Sequence, residues 1–313
     1  AILRKAGFDV REVEDIDFVR GCKSDEESIE LLQGASAVIA WGERYTAEVI
    51  QSLPDLRVIA RHGVGFDRVD VDAATAANVV LTVTPTANHE AVAEHAMALI
   101  LATSKSLVTV DKLVRSGSWG SPRTPLPLRQ STMGIVGLGR IGRSLATRAE
   151  GMGMNIIATE LYPNREFVEK HNIELVDLDT LLAESDFVSL HCPLSEETQG
   201  LINAEKLSLM KPTAILVNTA RGGLIVESDL IKALKSGTIG GAGLDVFEQE
   251  PTDSKNSLFE LDTVVLSPHI AGNDELSLDH MSGEAAQCIV DLSRGKWPDE
   301  AVINKSLKDS WKW

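Results

Sequence analysis

The feature that most constrains the fold is the run Gly137-Leu138-Gly139-Arg140-Ile141-Gly142. It stands between the apolar stretch 132–136 and a segment with Ile141, Leu145, Ala149 and Met152 at helical spacing. The glycines serve different ends, since Gly137 permits a tight turn, Gly139 lets a ligand approach the backbone, and Gly142 lets a helix sit close on a strand. Strand, glycine turn and helix in that order open a parallel sheet. The helix N-terminus then offers N–H groups without partners, which favour an anion such as a phosphate.

Glu160 ends the next apolar stretch, 155–159, and stands 18 residues beyond Gly142. At about that spacing an acidic side chain accepts hydrogen bonds from a dinucleotide's ribose hydroxyls, and its charge repels a 2′-phosphate. The expected cofactor is NAD, held by Gly137, Gly139, Arg140, Ile141, Gly142 and Glu160.

Alternation of apolar strand and helix continues along the chain. Strands are expected at 8–13, 37–41, 56–60 and 79–83, with helices at 25–32, 47–53 and 71–77. A second series of six strands centres on Met133, Ile156, Phe187, Ala214, Gly243 and Val265. Short loops between strands and helices indicate parallel sheets covered on both faces. Between the two series lies an apolar helix at 89–105, with Asn88 as its expected cap. The stretch 116–130 holds Trp119 and the prolines Pro122, Pro125 and Pro127, so it is neither regular helix nor central strand.

A chain of 313 residues is long enough for two domains, each with its own core. Thirty basic against 46 acidic residues, a net charge of −16, argue against a nucleic-acid partner or an anionic membrane. The three cysteines, Cys22, Cys192 and Cys288, are far apart and form no CxxC pair or disulfide framework, which suits a reducing cytoplasm. The most apolar helix contains Glu94 and His95 and is too short to span a membrane. No metal cluster is expected.

Three polar residues follow apolar runs: Arg221 in VNTARGG, Glu250 in LDVFEQEP and His269 in LSPHIAG. Strand ends of a parallel sheet line the crevice where ligands bind, so these three suit one site despite separations of 29 and 19 residues. Arg221, planar and permanently charged, suits a carboxylate. His269 suits a proton donor, and Glu250 would orient it and favour its charged form. The turn Gly63-Val64-Gly65, after an apolar strand and beside Trp41, Arg61 and His62, offers closely spaced N–H groups that form an anion nest.

Six segments, in order, resemble the D-isomer-specific 2-hydroxyacid dehydrogenases: RHGVGFDRVDVDAA (61–74), VGLGRIGRSLA (136–146), HCPLSEETQGLI (191–202), VNTARGGLIVE (217–227), GAGLDVFEQEP (241–251) and LSPHIAG (266–272). The resemblance implies an α/β fold of two doubly wound parallel-sheet domains, a Rossmann NAD-binding domain inserted in a flavodoxin-like substrate domain. Residues 1–88 and 275–313 would form the substrate domain and 89–274 the insert. The implied activity is NAD-dependent interconversion of a small D-2-hydroxy acid and its 2-keto acid, with Arg221 on the carboxylate and His269 with Glu250 as the acid–base pair. Val64 and Gly65 become carboxylate donors, with Trp41, Arg61 and His62 beside them. Asp245 would hold the nicotinamide carboxamide, and Cys192, Pro193, Thr198, Thr219 and Ala220 would line the nicotinamide ribose and ring.

The same resemblance implies a homodimer in which 116–130 wraps the neighbouring subunit. The opening AILRKAGFDV resembles the family's first helix and second strand, so the family's first strand is expected to precede Ala1. Two alternatives remain open: a D-3-phosphoglycerate dehydrogenase, with Arg61 and Arg44 meeting a phosphate, and an NAD(H)-sensing, corepressor-like binding protein. Trp41 and His62 equally suit a wall for an unphosphorylated substrate. Asn273-Asp274 replaces the small or hydroxyl residues commoner in the family and leaves the substrate open.

Overall fold

Every strand pairing in both sheets of the computed structural model is parallel, as alternating strands and helices require. Residues 1–313 are described except Pro122, so that member of the expected proline cluster lies outside the described residues. The chain divides into two units, Ala1–Asn88 with Asn273–Trp313, and His89–Gly272.

The first unit runs α1 (Ile2–Lys5), α2 (Ile16–Val19), α3 (Asp25–Leu32), β1 (Ala37–Ala40), α4 (Ala47–Gln51), β2 (Val58–Arg61), α5 (Val71–Ala76) and β3 (Val80–Thr82). Side-chain caps start α3, α4 and α5: Ser24 forms a capping box with Glu27, and Thr46 and Asp70 accept from Val49 and Ala73 N–H. The sheet order is β1-β2-β3, and central β2 is buried along its whole length. The strand expected at 8–13 does not form. Phe8 and Val10 alternate, but Glu12 falls where the next apolar residue should stand, and Arg11 donates to Leu31 O at 2.7 Å instead of joining a ladder.

The second unit opens with α6 (His89–Ser104) and α7 (Leu107–Arg115). Then follow β4 (Thr132–Val136), α8 (Arg140–Gly151), β5 (Asn155–Thr159), α9 (Arg165–Lys170), β6 (Glu174–Leu175), α10 (Leu178–Glu184) and β7 (Phe187–Leu190). It ends with α11 (Ala204–Leu209), β8 (Ile215–Asn218), α12 (Glu227–Ser236), β9 (Gly241–Leu244) and β10 (Val264–Leu266). The order β10-β9-β8-β7-β4-β5-β6 reverses direction between β4 and β7, the switch point outside which ligands bind in such sheets. Two buried layers hold it. Met133, Ile135, Phe187 and Val217 pack with Ile100, Leu145 and Ala149, while Val136, Val188 and Leu216 pack with Leu181, Leu182 and Leu230. The sequence periodicity shows six of these seven strands; β6 has two residues, too few for a period. Asn88 does not cap α6 through its carbonyl, since the buried Oδ1 has no hydrogen-bond partner.

The chain returns to the first unit in α13 (Glu275–Ser293), capped by Asp274, which accepts from Ser277 N–H at 2.6 Å. Val302 bridges Thr82, and the Asn304 side chain accepts from Leu81 N–H at 3.0 Å and donates to Val79 O at 2.9 Å. Ala285, Ile289 and Leu292 of α13 share a core with Val58, Ala60 and Val80.

Candidate active site

At the end of β4 the three glycines meet different surroundings. Gly137 has φ +94°, and a Cβ there would lie 2.7 Å from Cys192 N, so the turn needs glycine both for conformation and for space. A Cβ on Gly142 would collide with Gly137 O and lie 3.1 Å from Ile135 Cγ2, so helix and strand touch at this point. Gly139 faces open space and starts α8 without a side-chain cap. The first N–H groups of that helix are therefore available to an anion. Arg140 is exposed on the first turn and Ile141 is half-buried. Glu160 bridges the ends of two strands, its Oε2 accepting Leu138 N–H at 2.7 Å and its Oε1 accepting Tyr162 N–H at 2.9 Å. Donors, open backbone and a carboxylate at the neighbouring strand fit an adenine dinucleotide.

The turn after β7 is held by Thr198, whose Oγ1 accepts Ser195 N–H at 2.7 Å and donates to Pro193 O at 2.7 Å. Pro193 is exposed and Cys192 half-buried; burial pushes the Cys192 thiol up to about 11, so it is protonated and no nucleophile at neutral pH. After β8, Asn218 is fully buried, its Nδ2 donating to Arg221 O at 2.8 Å and its Oδ1 accepting Ala220 N–H at 3.0 Å. That amide folds the Thr219-Ala220-Arg221 bend. Thr219 Oγ1 is buried with no hydrogen-bond partner, and Arg221 Nη1 donates to Ala220 O at 2.6 Å. A Cβ on Gly222 would collide with Phe247 C and O. The Arg221 bend therefore lies directly against the segment that carries Glu250.

Glu250 joins that segment to the histidine. Its Oε1 accepts Phe247 N–H at 3.0 Å, and its Oε2 meets His269 Nδ1 at 2.7 Å. A carboxylate can only accept, so Nδ1 carries the hydrogen and Nε2 remains for another partner on a half-exposed ring. His269 has φ +55°, a left-handed backbone unusual for a side-chain-bearing residue. Asp245 holds it there. Its carbonyl accepts His269 N–H at 2.8 Å, and its carboxylate accepts Ser267 Oγ–H, Ile270 N–H and Ala271 N–H at 2.6, 3.0 and 2.8 Å. His95 Nε2 lies 2.7 Å from Ser267 Oγ, and since that hydroxyl already donates to Asp245, the histidine is the donor. The Asp245 carboxylate is fully buried and holds the His269 loop, a structural part it plays beside the cofactor role expected of it.

The first unit carries the anion nest. Gly63 has φ +135°, and its N–H donates to Thr84 Oγ1 at 3.0 Å. The N–H groups of Val64 and Gly65 donate to no acceptor among the described residues. Arg61 does not face outward as a phosphate ligand would: it is 9% exposed, its Nε donates to Gly65 O at 2.9 Å, and its Nη1 donates to Trp41 O. His62 is buried beneath the Trp41 ring.

Sequence reasoning missed Asn218, Gly222, Ser267 and His95. The first glycine of ARGG and a histidine in a mostly apolar helix are the signals that could have found two of them. Among the described residues no cluster of His, Cys, Asp or Glu suits a metal ion, and no helix is long and apolar enough to cross a membrane.

Switch-point sheet, glycine turn and strand-end carboxylate define a Rossmann-type dinucleotide-binding protein. A model of the family described as "D-isomer specific 2-hydroxyacid dehydrogenase, NAD binding domain" matches residues 97–271. The glyoxylate reductase of Korarchaeum cryptofilum is 42% identical over 267 residues, 84% of this chain and 80% of that protein. The D-3-phosphoglycerate dehydrogenase of Archaeoglobus fulgidus is 36% identical over 310 residues, 98% of this chain and 58% of that protein. Among solved structures, D-lactate dehydrogenase from Aquifex aeolicus complexed with NAD and lactic acid has a TM-score of 0.81 at 30% identity, covering 88% of this chain and 89% of that one. The chain belongs to the D-isomer-specific 2-hydroxyacid dehydrogenase family and is an NAD-dependent oxidoreductase.

Proposed function

We propose that the chain reduces a small 2-keto acid to its D-2-hydroxy acid, with Arg221 gripping the carboxylate and His269, oriented by Glu250, delivering the proton. The observation that carries this reading is the 2.7 Å bond between His269 Nδ1 and Glu250 Oε2. A carboxylate on one ring nitrogen stabilises the imidazolium and leaves the Nε2 proton for the keto oxygen. NADH, when bound, supplies the hydride that reduces the keto carbon. Gly137, Gly139, Arg140, Ile141 and Gly142 would hold its pyrophosphate and Glu160 its adenosine ribose. Cys192, Pro193, Thr198, Thr219 and Ala220 would shape the nicotinamide side. Arg221 polarises the carbonyl through its planar donors, and the free N–H groups of Val64 and Gly65 suit the substrate carboxylate.

A NADH-oxidation assay with glyoxylate, pyruvate and hydroxypyruvate tests the reading, with turnover of at least one as the expected result. Full-length folded protein that binds NADH and turns over none would favour a sensing role instead. The stretch 107–119 exposes Leu107, Val108, Val114 and Trp119, the last at 93%, which supports a homodimer built on this face. Light scattering should give twice the chain mass, and a monomer at all concentrations would refute it. The three cysteines are free, which supports a cytoplasmic location; fractionation of the source cells with the protein outside the cytoplasm would refute that.

A further inference from the structure

One stripe of α6 runs antiparallel over β9 and keeps step with it. Four residues of helix advance about 6 Å and two of strand about 6.6 Å, so every fourth residue of the stripe meets every second residue of the strand. Thr103 and Leu99 lie over Gly241 and Gly243, where added Cβ atoms would stand 3.0 Å from Thr103 Cγ2 and 2.8 Å from Leu99 Cβ. The next step in both series brings His95 to Asp245, with Nε2 3.6 Å from Oδ1. Two positions without side chains thus let the helix come close enough for an imidazole to reach the strand end.

Packing alone would favour an apolar side chain at position 95. Val92, Ala96 and Leu99 beside it on the helix are buried, and an imidazole among them is costly unless it is hydrogen-bonded. Its partner is Ser267, which the pairing of β10 with β9 sets next to Asp245. The Ser267 hydroxyl has one hydrogen. Because His95 Nε2–H donates to Oγ at 2.7 Å, that hydrogen is directed to Asp245 Oδ1 at 2.6 Å. Without the imidazole the hydroxyl is free to rotate away, and the buried carboxylate that also accepts Ile270 and Ala271 N–H loses a donor. The bend that keeps His269 at φ +55° then loses part of its anchorage.

We propose that His95 is a positioning residue for the reaction: acting through Ser267 and Asp245, it fixes the loop that presents His269. This rests on the reading of His269 as the proton donor. The effect belongs to the proton-transfer step, so it appears in kcat rather than in the grip on the keto acid, which Arg221 supplies.

The test pairs His95→Leu, which fills the space without a donor, with His95→Gln, whose amide N–H can reach Ser267. Leucine and glutamine are both good helix formers, so the melting temperature should stay within a few degrees of wild type. With NADH and whichever of glyoxylate, pyruvate and hydroxypyruvate is turned over best, His95→Leu should lower kcat about tenfold or more and change KM less than about threefold. His95→Gln should recover most of the loss. In the His269→Ala background His95→Leu should lower kcat no further, since the loop then presents no acid. A wild-type kcat in His95→Leu, an equal loss in His95→Gln, or a full additional loss in the His269→Ala background would overturn the proposal. Wild-type turnover in His269→Ala, or no turnover of any of the three acids by the unaltered protein, would instead remove the proton-donor reading, and the proposal falls with it.

Discussion

His269 combines an unfavourable backbone with a favourable side-chain partner. A left-handed conformation costs roughly 1 kcal/mol or more in a residue with a Cβ, and the four bonds that Asp245 makes to residues 267–271 offset it. The Glu250 bond then fixes the ring. Glu250→Gln should lower kcat with little change in NADH affinity, because a neutral amide supports a charged ring less well than a carboxylate does. His269→Ala should cost ~10² to 10⁴ in kcat. Wild-type turnover in either variant would remove the pair from the mechanism. Glu160 requires a subtler change because its carboxylate also accepts the Leu138 N–H. Glu160→Gln keeps an acceptor while deleting the charge, and should narrow the gap between NADH and NADPH by roughly 1–3 kcal/mol. Equal binding of both cofactors by the wild type would show that the charge is not the discriminator.

Among the elements, β4, its glycine turn and α8 form the unit proposed to hold the cofactor. Gly142→Ala would push its Cβ into Gly137 O and toward Ile135, lifting α8 from the strand. NADH affinity should fall at least about tenfold and the melting temperature drop by several degrees, as expected for roughly 1–3 kcal/mol of overpacking. Retained affinity in a titration would mean the turn absorbs the strain. This unit was legible because each of its parts has a strong local cause: an apolar run, glycines at fixed offsets and a helical stripe. Arg221, Glu250 and His269 were legible as strand-end polar residues in recognisable motifs. Their supports were not. Nothing local says that His95 reaches Ser267, 172 residues away, or that Gly222 lies against Phe247. Such contacts exist only once α6 and the sheet have packed. Local reading failed differently at 8–13 and at Asn88, where short patterns had no partner to complete them.

For the whole molecule, buried histidine makes stability depend on acidity. Burial pushes the His191 imidazole down to about 4 from an ordinary 6.5, and its Nδ1 has no partner. As pH falls through 6.5 the unfolded chain takes up this proton first, while the folded chain resists it until about 4. Stability is therefore full above 6.5, declines across that window and levels off below 4, by at most about 3 kcal/mol from this group. Melting temperatures of His191→Gln should fall less steeply than wild type from pH 6.5 to 4, and parallel curves would contradict the assignment.

The late return of the chain to its first unit also orders events on the ribosome. Thr82, Leu81 and Val79 are made early, yet Val302 and Asn304, which complete their sheet, are made near the end. The unit His89–Gly272 has all its strands long before then. The inserted unit should thus finish first during synthesis, while the earlier-made one waits unfinished with β2 and β3 lacking the cover of α13. Nascent chains stalled after residue 272 should yield a protease-resistant fragment from 89 onward and a digestible segment before it, and equal resistance of both would show that the first unit closes without its tail.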